Sequence, residues 1–302
     1  MGSNSPPNRT AVLLTCHGTV EEAADIPEFV RRIRRGRPAP DHVVAEVRRR
    51  FERIGGSPLM KITREQARAL EDRLHVPVRA AARLWSPHPE EVLRPLLNEG
   101  VERILSLPLA PQSVHIYHDF VEDCLSGNDV QVVRAPSYGL EPKLVAAFVN
   151  AIVEARGRLA ENARFATLLT AHSLPLRAIQ AGDPYQSDFE AMAGAVRAAL
   201  VDVGFTEADV HIAYQSQGMG GGEWLGPDLE TTLERVCATS KDALLVAPIG
   251  FVAEHVETLY DIDVEFAALA RRRGVADVVR MPAMNTRSDF IEALEAVARP
   301  LL

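Results

Sequence analysis

The carboxylates of Glu257, Asp261 and Glu265 recur every four residues in a stretch, Val246 to Glu265, that contains no Lys or Arg. On a helix that spacing stacks them on one face, where like charges cost roughly 0.2–0.5 kcal/mol per pair. The apolar run from Ala243 to Pro248 just before them reads as a buried strand, and Gly250 lets the chain turn out of it. His255 and Glu257 therefore stand at the exit of a buried strand. A carboxylate ladder starting there can pass protons, or a hard or borderline cation, inward. A solvated acidic face is the plainer alternative. The lack of interleaved cations and the placing of His255 and Glu257 favour chemistry.

His172 is the best single catalytic candidate. It ends the apolar strand Thr167–Ala171, and Pro175 keeps the following turn from becoming an immediate helix. An imidazole can bind a metal or take a proton near neutral pH. The same pattern occurs once more: Leu13-Leu14-Thr15-Cys16-His17 matches Leu168-Leu169-Thr170-Ala171-His172, followed by Gly18 and Ser173 respectively. Its equivalent place in both halves points to two similar lobes. Ligands in open α/β sheets sit outside the carboxyl ends of the strands, so His17 and His172 are expected to face one cleft.

Other segments carry weaker signals. The arginines of Arg31–Arg37 and Arg48–Arg50 suit carboxylates or phosphates, or a salt-bridged helix face. Gly55-Gly56-Ser57 allows backbone amides to approach a ligand, or simply turns into a helix. Trp85-Ser86-Pro87-His88-Pro89 ends a strand and opens a helix with Glu90 and Glu91 in its first turn; Trp85 and His88 are candidates for a cleft wall. Ser113 to His118, with Asp119 and Cys124, offers metal-ligand types, but no third ligand is fixed by spacing; a helix presenting Ser113 and Tyr117 to a ligand is preferred. Gly218–Gly222 lacks the Lys of a phosphate loop, and Glu223 stands where a dinucleotide pattern needs Gly. No G-x-S-x-G elbow surrounds Ser173. Nucleotide binding and acyl transfer are set aside.

The elements that must position these residues alternate. Strands are predicted near 10–16, 77–83, 102–108, 130–134, 165–171, 209–215, 242–248 and 277–280, with amphipathic helices between most of them. That rhythm implies α/β architecture with parallel sheets and right-handed crossovers. Residues 26–74 break it with two or three helices and no strand, as expected of a lid or cleft wall. With 302 residues, 47% of them hydrophobic, the chain can bury one large core or two modest ones. A net charge of −8 argues against a nucleic-acid partner. Cys16, Cys124 and Cys237 are scattered, which excludes a disulfide framework and fits a reducing compartment. Residues 1–9 read as a disordered tail rather than a signal peptide. No apolar run approaches a membrane span, so a cytoplasmic location is expected.

Together these residues resemble the ferrochelatases, which insert ferrous iron into a porphyrin to complete haem. The anchors are Ala171-His172-Ser173-Leu174-Pro175, Gly182-Asp183-Pro184-Tyr185, Tyr214-Gln215-Ser216, Trp224-Leu225-Gly226-Pro227 and the run from Gly250 to Asp261. The resemblance covers nearly the whole chain after the tail. It implies two flavodoxin-like lobes, each a parallel sheet flanked by helices, with the active-site cleft between them. The first lobe is expected to span residues 10–112 plus 286–302, with a C-terminal helix packed back on it, and the second residues 113–285. His172 would be the histidine over one face of the macrocycle and Glu257 its acidic partner, both catalytic and both metal-handling. Asp261 and Glu265 would continue the metal ladder. Arg34, Arg50, Ser57 and Tyr117 fall where relatives hold the porphyrin or its propionates, and Trp85 and Trp224 would line the cleft.

Departures matter. The Gram-positive type, which uses coproporphyrin, reads Ala-Tyr-Gly-Thr-Pro where this chain has Cys16-His17-Gly18-Thr19-Val20. His17 thus takes the place of a tyrosine that faces the macrocycle. It is expected either to ligate product iron, being a better ligand than a neutral phenol, or only to stack on the ring or hydrogen-bond a neighbour. The segment after Leu109-Ala110-Pro111 is short for the family, which would reshape the mouth. The expected cofactor state is Fe2+ as substrate with nothing permanently bound and no iron–sulfur cluster, because three cysteines fall short of four thiolates. Porphyrin (coproporphyrin III or protoporphyrin IX) and iron are the expected partners, with a haem acceptor in transient contact. A chelatase for another metal or tetrapyrrole, and a porphyrin or haem carrier without turnover, are the alternatives.

Overall fold

A computed structural model describes residues 9–218 and 222–302. Most of the expected tail, and Met219–Gly221 of the glycine-rich segment, lie outside the described residues. The first half runs β1 (Thr10–Cys16), α1 (Ile26–Ile33), α2 (Asp41–Ile54), α3 (Leu59–Leu74), β2 (Val78–Ala82), α4 (Pro89–Asn98), β3 (Arg103–Pro108), α5 (Val114–Leu125) and β4 (Gln131–Arg134). The second runs α6 (Pro142–Arg156), β5 (Phe165–His172), α7 (Leu176–Gln180), α8 (Tyr185–Asp202), β6 (Val210–Gln215), α9 (Leu229–Cys237), β7 (Ala243–Ala247), α10 (Val256–Leu259), α11 (Ala267–Arg272), β8 (Asp277–Arg280) and α12 (Ser288–Ala298).

Two parallel sheets result, ordered β2-β1-β3-β4 and β6-β5-β7-β8. The order is the same in both, and β1 and β5, which carry the repeated Leu-Leu-Thr-x-His pattern, hold the same place. Parallel strands covered on both faces must be apolar throughout, and every residue of β1 and of β7 is buried. The alternation of side chains sorts them between layers. Val12, Leu14 and Cys16 join a large central core that also takes Leu169, Ala171, Leu245 and Ala247. Ala11 and Leu13 face a separate cluster under α4 and α5, while Leu168 and Val246 face another under α9 and α11. The central core is shared by the two lobes, with α3, α6, α8 and α12 filling it.

The boundary expected at 112 is corrected. β4 pairs with β3, Arg103 opposite Gln131, so α5 and β4 complete the first sheet and the chain crosses to the second only through α6. The helix expected near the C-terminus is α12. It packs on α3, as anticipated, and also on α6, so it wedges between the lobes instead of returning to the first alone. Residues 26–74 form three helices without a strand, as expected; α1 and α2 build their own small core around Phe29, Val30, Val43 and Phe51.

Candidate active site

The carboxyl ends of β1 and β5 open on the same cleft. His172 closes β5, and its carbonyl accepts a hydrogen bond from the Tyr185 hydroxyl at 2.7 Å. The neighbouring Ser173 hydroxyl donates to the Leu225 carbonyl at 2.8 Å. Gly250 is forced by packing: a Cβ there would lie 2.5 Å from the Ala171 Cβ and 2.7 Å from its Cα. Only glycine lets the β7 exit press against the end of β5, which brings Glu257 to His172. Their side chains meet at 3.0 Å, His172 Nδ1 to Glu257 Oε2. The Glu257 carbonyl is held in turn by the Gln215 amide at 2.8 Å. His255 Nε2 stands 3.5 Å from the same carboxylate oxygen, so Glu257 lies between two imidazoles.

Burial opposes ionisation of both partners, but their mutual attraction prevails. The Glu257 carboxylate, by charge and hydrogen bond, outweighs the downward pull of burial and holds the His172 pKa above its usual 6.5. Glu257, against the upward push of burial, is held well below 4.5 by His172 and His255. His172 Nε2 makes no hydrogen bond among the described residues, leaving one ring nitrogen for a proton or a metal.

His17 follows β1, and Gly18, with φ +95°, turns the chain where a Cβ would come within 2.9 Å of the Ala82 Cβ. The His17 ring reaches solvent through the open cleft. The protein crowded around it, with His172, Arg83 and His255 adding their charge against the pull of Glu257, lowers its pKa to about 4. It is therefore neutral at pH 7, with a lone pair available. Tyr117 lies on the cleft floor beneath the Arg83 guanidinium, 5.9 Å from its ring centroid, and burial drives its pKa upward. No local sequence pattern marks Arg83, since its place depends on the β2 exit lying beside His17, where the Arg83 N–H meets the Cys16 carbonyl at 2.9 Å.

The acidic ladder is not the plain α-helical face that its spacing predicts. Asp261–Phe266 forms a π-helical segment, in which the Tyr260 carbonyl accepts from the N–H groups of both Val264 (3.0 Å) and Glu265 (3.1 Å). Its charge relief comes from far along the chain: Arg50 of α2 bonds Asp261 at 2.9 Å and lies 3.5 Å from Glu265. Asp261 also accepts from the Ser216 hydroxyl at 2.5 Å. Burial, with Glu257 and Glu265 nearby, raises the Asp261 pKa to about 6 in spite of Ser216 and Arg50. The ladder runs outward, from Glu257 in the cleft past half-buried Asp261 to Glu265, whose side chain is 45% exposed. Among the described residues no three His, Cys, Asp or Glu side chains converge as a ready metal cage.

The remaining candidates divide. Arg50, expected to hold porphyrin, is committed to Asp261, Glu265 and Glu46. Arg34 is turned to the Pro38 carbonyl at 3.2 Å, while Arg31 and Arg32 pair with Glu28 and Arg49 with Glu46, the salt-bridged alternative. The Ser57 hydroxyl is buried without a partner among the described residues. Trp85 packs under Arg32 at 4.6 Å and edge-on to Phe29 at 6.0 Å, joining the cleft wall to α1. Trp224 bridges to Pro175, beside the loop that follows His172. His118 is structural: its ring nitrogens bond Ser106 and the Ala135 carbonyl, both at 2.9 Å.

The ferrochelatase family model matches residues 9–301. The chain is 36% identical over 313 residues to the ferrochelatase of Acidobacterium capsulatum, covering 96% of this chain and 93% of that one. It is 31% identical to the ferrochelatase of Thermus thermophilus, covering 94% and 96% respectively. Among solved structures, SirB from Bacillus subtilis with Fe3+ superposes with a TM-score of 0.63 at 11% identity, covering 96% of this chain and 94% of that one. CbiX, a terminal enzyme of sirohaem biosynthesis, does so with a TM-score of 0.56 at 10% identity, covering 97% and 99%. At such identities these two structures establish the fold alone.

Proposed function

Because this chain belongs to the ferrochelatase family, we propose that it inserts Fe2+ into a porphyrin at the His172–Glu257 pair. The single observation that supports the roles is that pair: an ionised carboxylate 3.0 Å from an imidazole at the β5 exit, in the cleft that also holds His17. Metal insertion replaces two pyrrole N–H protons by one Fe2+, so the site must accept two protons as the metal enters. Glu257 supplies a carboxylate kept ionised by two imidazoles, and His172 supplies a ring nitrogen that alternates between proton and metal. Neither holds a cation in a closed cage, which suits a metal that must be passed on. Glu257, Asp261 and Glu265 form the route between cleft and surface, and the Asp261 pKa of about 6 lets that carboxyl relay protons near neutrality. Distorting the ring to expose its lone pairs draws on binding energy from the periphery of the macrocycle.

No helix among the described residues is long and apolar enough to cross a membrane. The working location is the cytoplasm, with product passed to a haem acceptor in transient contact. The test is anaerobic turnover with ferrous iron and, separately, coproporphyrin III and protoporphyrin IX, followed by absorbance. The expected result is metalation of one porphyrin in preference to the other, and a His172→Ala variant that binds porphyrin but loses nearly all insertion. Porphyrin binding without turnover by the wild type would mark a carrier. A His172→Ala variant at near wild-type rate would remove the assigned role.

A further inference from the structure

Two glutamines of the first lobe, Gln66 in α3 and Gln112 between β3 and α5, are buried, with 0% and 3% exposure. Both send amide N–H groups across to the second lobe. Gln66 Nε2 donates to the Val252 carbonyl at 3.0 Å and to the Asn285 carbonyl at 2.8 Å. Gln112 Nε2 donates to the Gly250 carbonyl at 3.1 Å. Residues 250 and 252 belong to one short loop, which leads from β7 into α10, carries Glu254 and His255, and sets the start of the helical turn that holds Glu257. The Oε1 atom of each glutamine has no partner among the described residues. A buried amide left half unsatisfied is costly; an apolar side chain of the same size would fill the space, and what it would lose is the donors to the Val252, Asn285 and Gly250 carbonyls. The amides are thus present as donors that tie this backbone to the first lobe, not as space-fillers.

The bonds continue from these anchors to the reacting groups. Asn285, with φ +47°, donates its N–H to the Val252 carbonyl at 3.0 Å, and its Oδ1 accepts the Glu254 N–H at 3.0 Å. The Glu254 carboxylate accepts the Thr258 hydroxyl at 2.5 Å, and that hydroxyl accepts the His255 N–H at 3.1 Å. Glu257 lies inside this bonded turn. The other anchor reaches β5, because Gly250, whose carbonyl takes the Gln112 amide, donates its own N–H to the Thr170 carbonyl at 2.9 Å, two residues before His172.

We propose that Gln66 and Gln112 are positioning residues for metal insertion: reaching from the first lobe, they fix the β7–α10 loop and so aim the Glu257 carboxylate at His172 across from His17. This rests on the reading that His172 and Glu257 carry the chemistry. A clamp that only joined the lobes would affect folding, whereas one that aims a carboxylate affects turnover through that carboxylate, and the two are separable.

Gln66→Met and Gln112→Met are made in the full chain, each alone and each combined with Glu257→Gln. Anaerobic iron insertion and fluorescence titration of metal-free porphyrin are measured on all of them. Each single variant is expected to lose about tenfold or more in kcat, as misplacement of a reacting group does, while porphyrin Kd stays within about twofold, the range expected when contacts to the ring are untouched. On the Glu257→Gln background the same substitutions are expected to change little, because the group they act through is gone. Wild-type kcat in both single variants, or an equal loss on both backgrounds, overturns the proposal. Absence of turnover in the wild type would instead overturn the catalytic reading, so the two failures are distinct. Should Gln66→Met not fold by circular dichroism, Gln112→Met, which deletes one bond instead of two, carries the test. If neither folds, the contacts are a folding element and the proposal is withdrawn.

Discussion

Glu257 sets the charge state of the cleft, holding His172 protonated more strongly than a free imidazole while staying ionised itself. Burial acts to lower the His172 pKa; the carboxylate 3.0 Å away reverses this and holds it above 6.5. Burial acts to raise the Glu257 pKa, and the two imidazoles reverse that as well. A pKa raised by folding contributes stability below its unfolded value and loses it as pH rises through the folded one. A lowered pKa contributes above its unfolded value and loses it as pH falls through the folded one. The pair is thus at full strength between the unfolded values, 4.5 for Glu257 and 6.5 for His172. The difference in Tm between wild type and Glu257→Gln is expected to be widest in that window and to shrink above it as His172 loses its proton. In the variant burial loses its main opponent and keeps only the pull of Asp261, so the His172 ring should titrate lower by NMR than in the wild type; an unmoved ring titration would dissolve the coupling. His17 carries the second prediction at this scale. Crowding lowers its pKa to about 4, so at neutral pH it presents a free imidazole nitrogen, a stronger ligand for haem iron than a phenol. Product-bound wild type and His17→Tyr are expected to differ in Soret position and spin state. Identical spectra would leave His17 as a stacking or hydrogen-bonding residue.

At the scale of elements, what was legible in the sequence is what periodicity encodes. All eight predicted strands are found, because buried parallel strands are short apolar runs between turn residues, and the helices between them repeat at 3.6. The place of His172 followed from the same signal, since its apolar strand could end nowhere else. Two features were not legible. A π-turn at Asp261–Phe266 differs from an α-turn only in hydrogen-bond register, which leaves no mark on composition. Arg50 reaches Asp261 across 211 positions of chain, and only the packing of α2 against α10 brings them together. The joint between β5 and β7 yields a prediction of its own. Gly250 has ordinary negative φ, so substitution there is decided by space: an added Cβ falls 2.5 Å from one backbone-anchored atom of Ala171 and 2.7 Å from another. Neither can retreat without moving β5. Gly250→Ala is expected to cost about 1–3 kcal/mol in denaturant unfolding, the usual penalty of overpacking. Iron insertion should fall further than stability does, because the strand that must move ends in His172. Wild-type stability in that variant would mean that the two strands can part freely, and that Gly250 does not hold Glu257 in place.

At the scale of the whole molecule, two equally ordered sheets share one central core, and the chain crosses between them only after β4. The earlier boundary expected from sequence missed this because β4, four residues long and only partly buried, is an edge strand whose partner cannot be read locally. The same architecture governs where thiols can meet. Cys16 is buried under the first sheet with its sulfur 3.5 Å from that of Met60. Cys124 sits on α5, where burial and then Glu90 push its pKa to about 12, the opposite of what a thiolate ligand requires. Cys237 is exposed at the end of α9, its sulfur 3.8 Å from the Arg273 carbonyl. Cys16 in β1 and Cys124 in α5 belong to different layers of the first lobe and Cys237 in α9 to the second, and an iron–sulfur cluster of the common kinds takes four thiolates. Protein purified without oxygen is therefore expected to contain no acid-labile sulfide and to show no visible bands before porphyrin is added. Stoichiometric sulfide together with such bands would require Cys237, the one exposed thiol among the three, to be joined by thiolates from other chains. Cys237→Ser would then abolish the bands while leaving iron insertion as fast as in the wild type, because Cys237 lies exposed at the end of α9 and touches neither His172 nor Glu257.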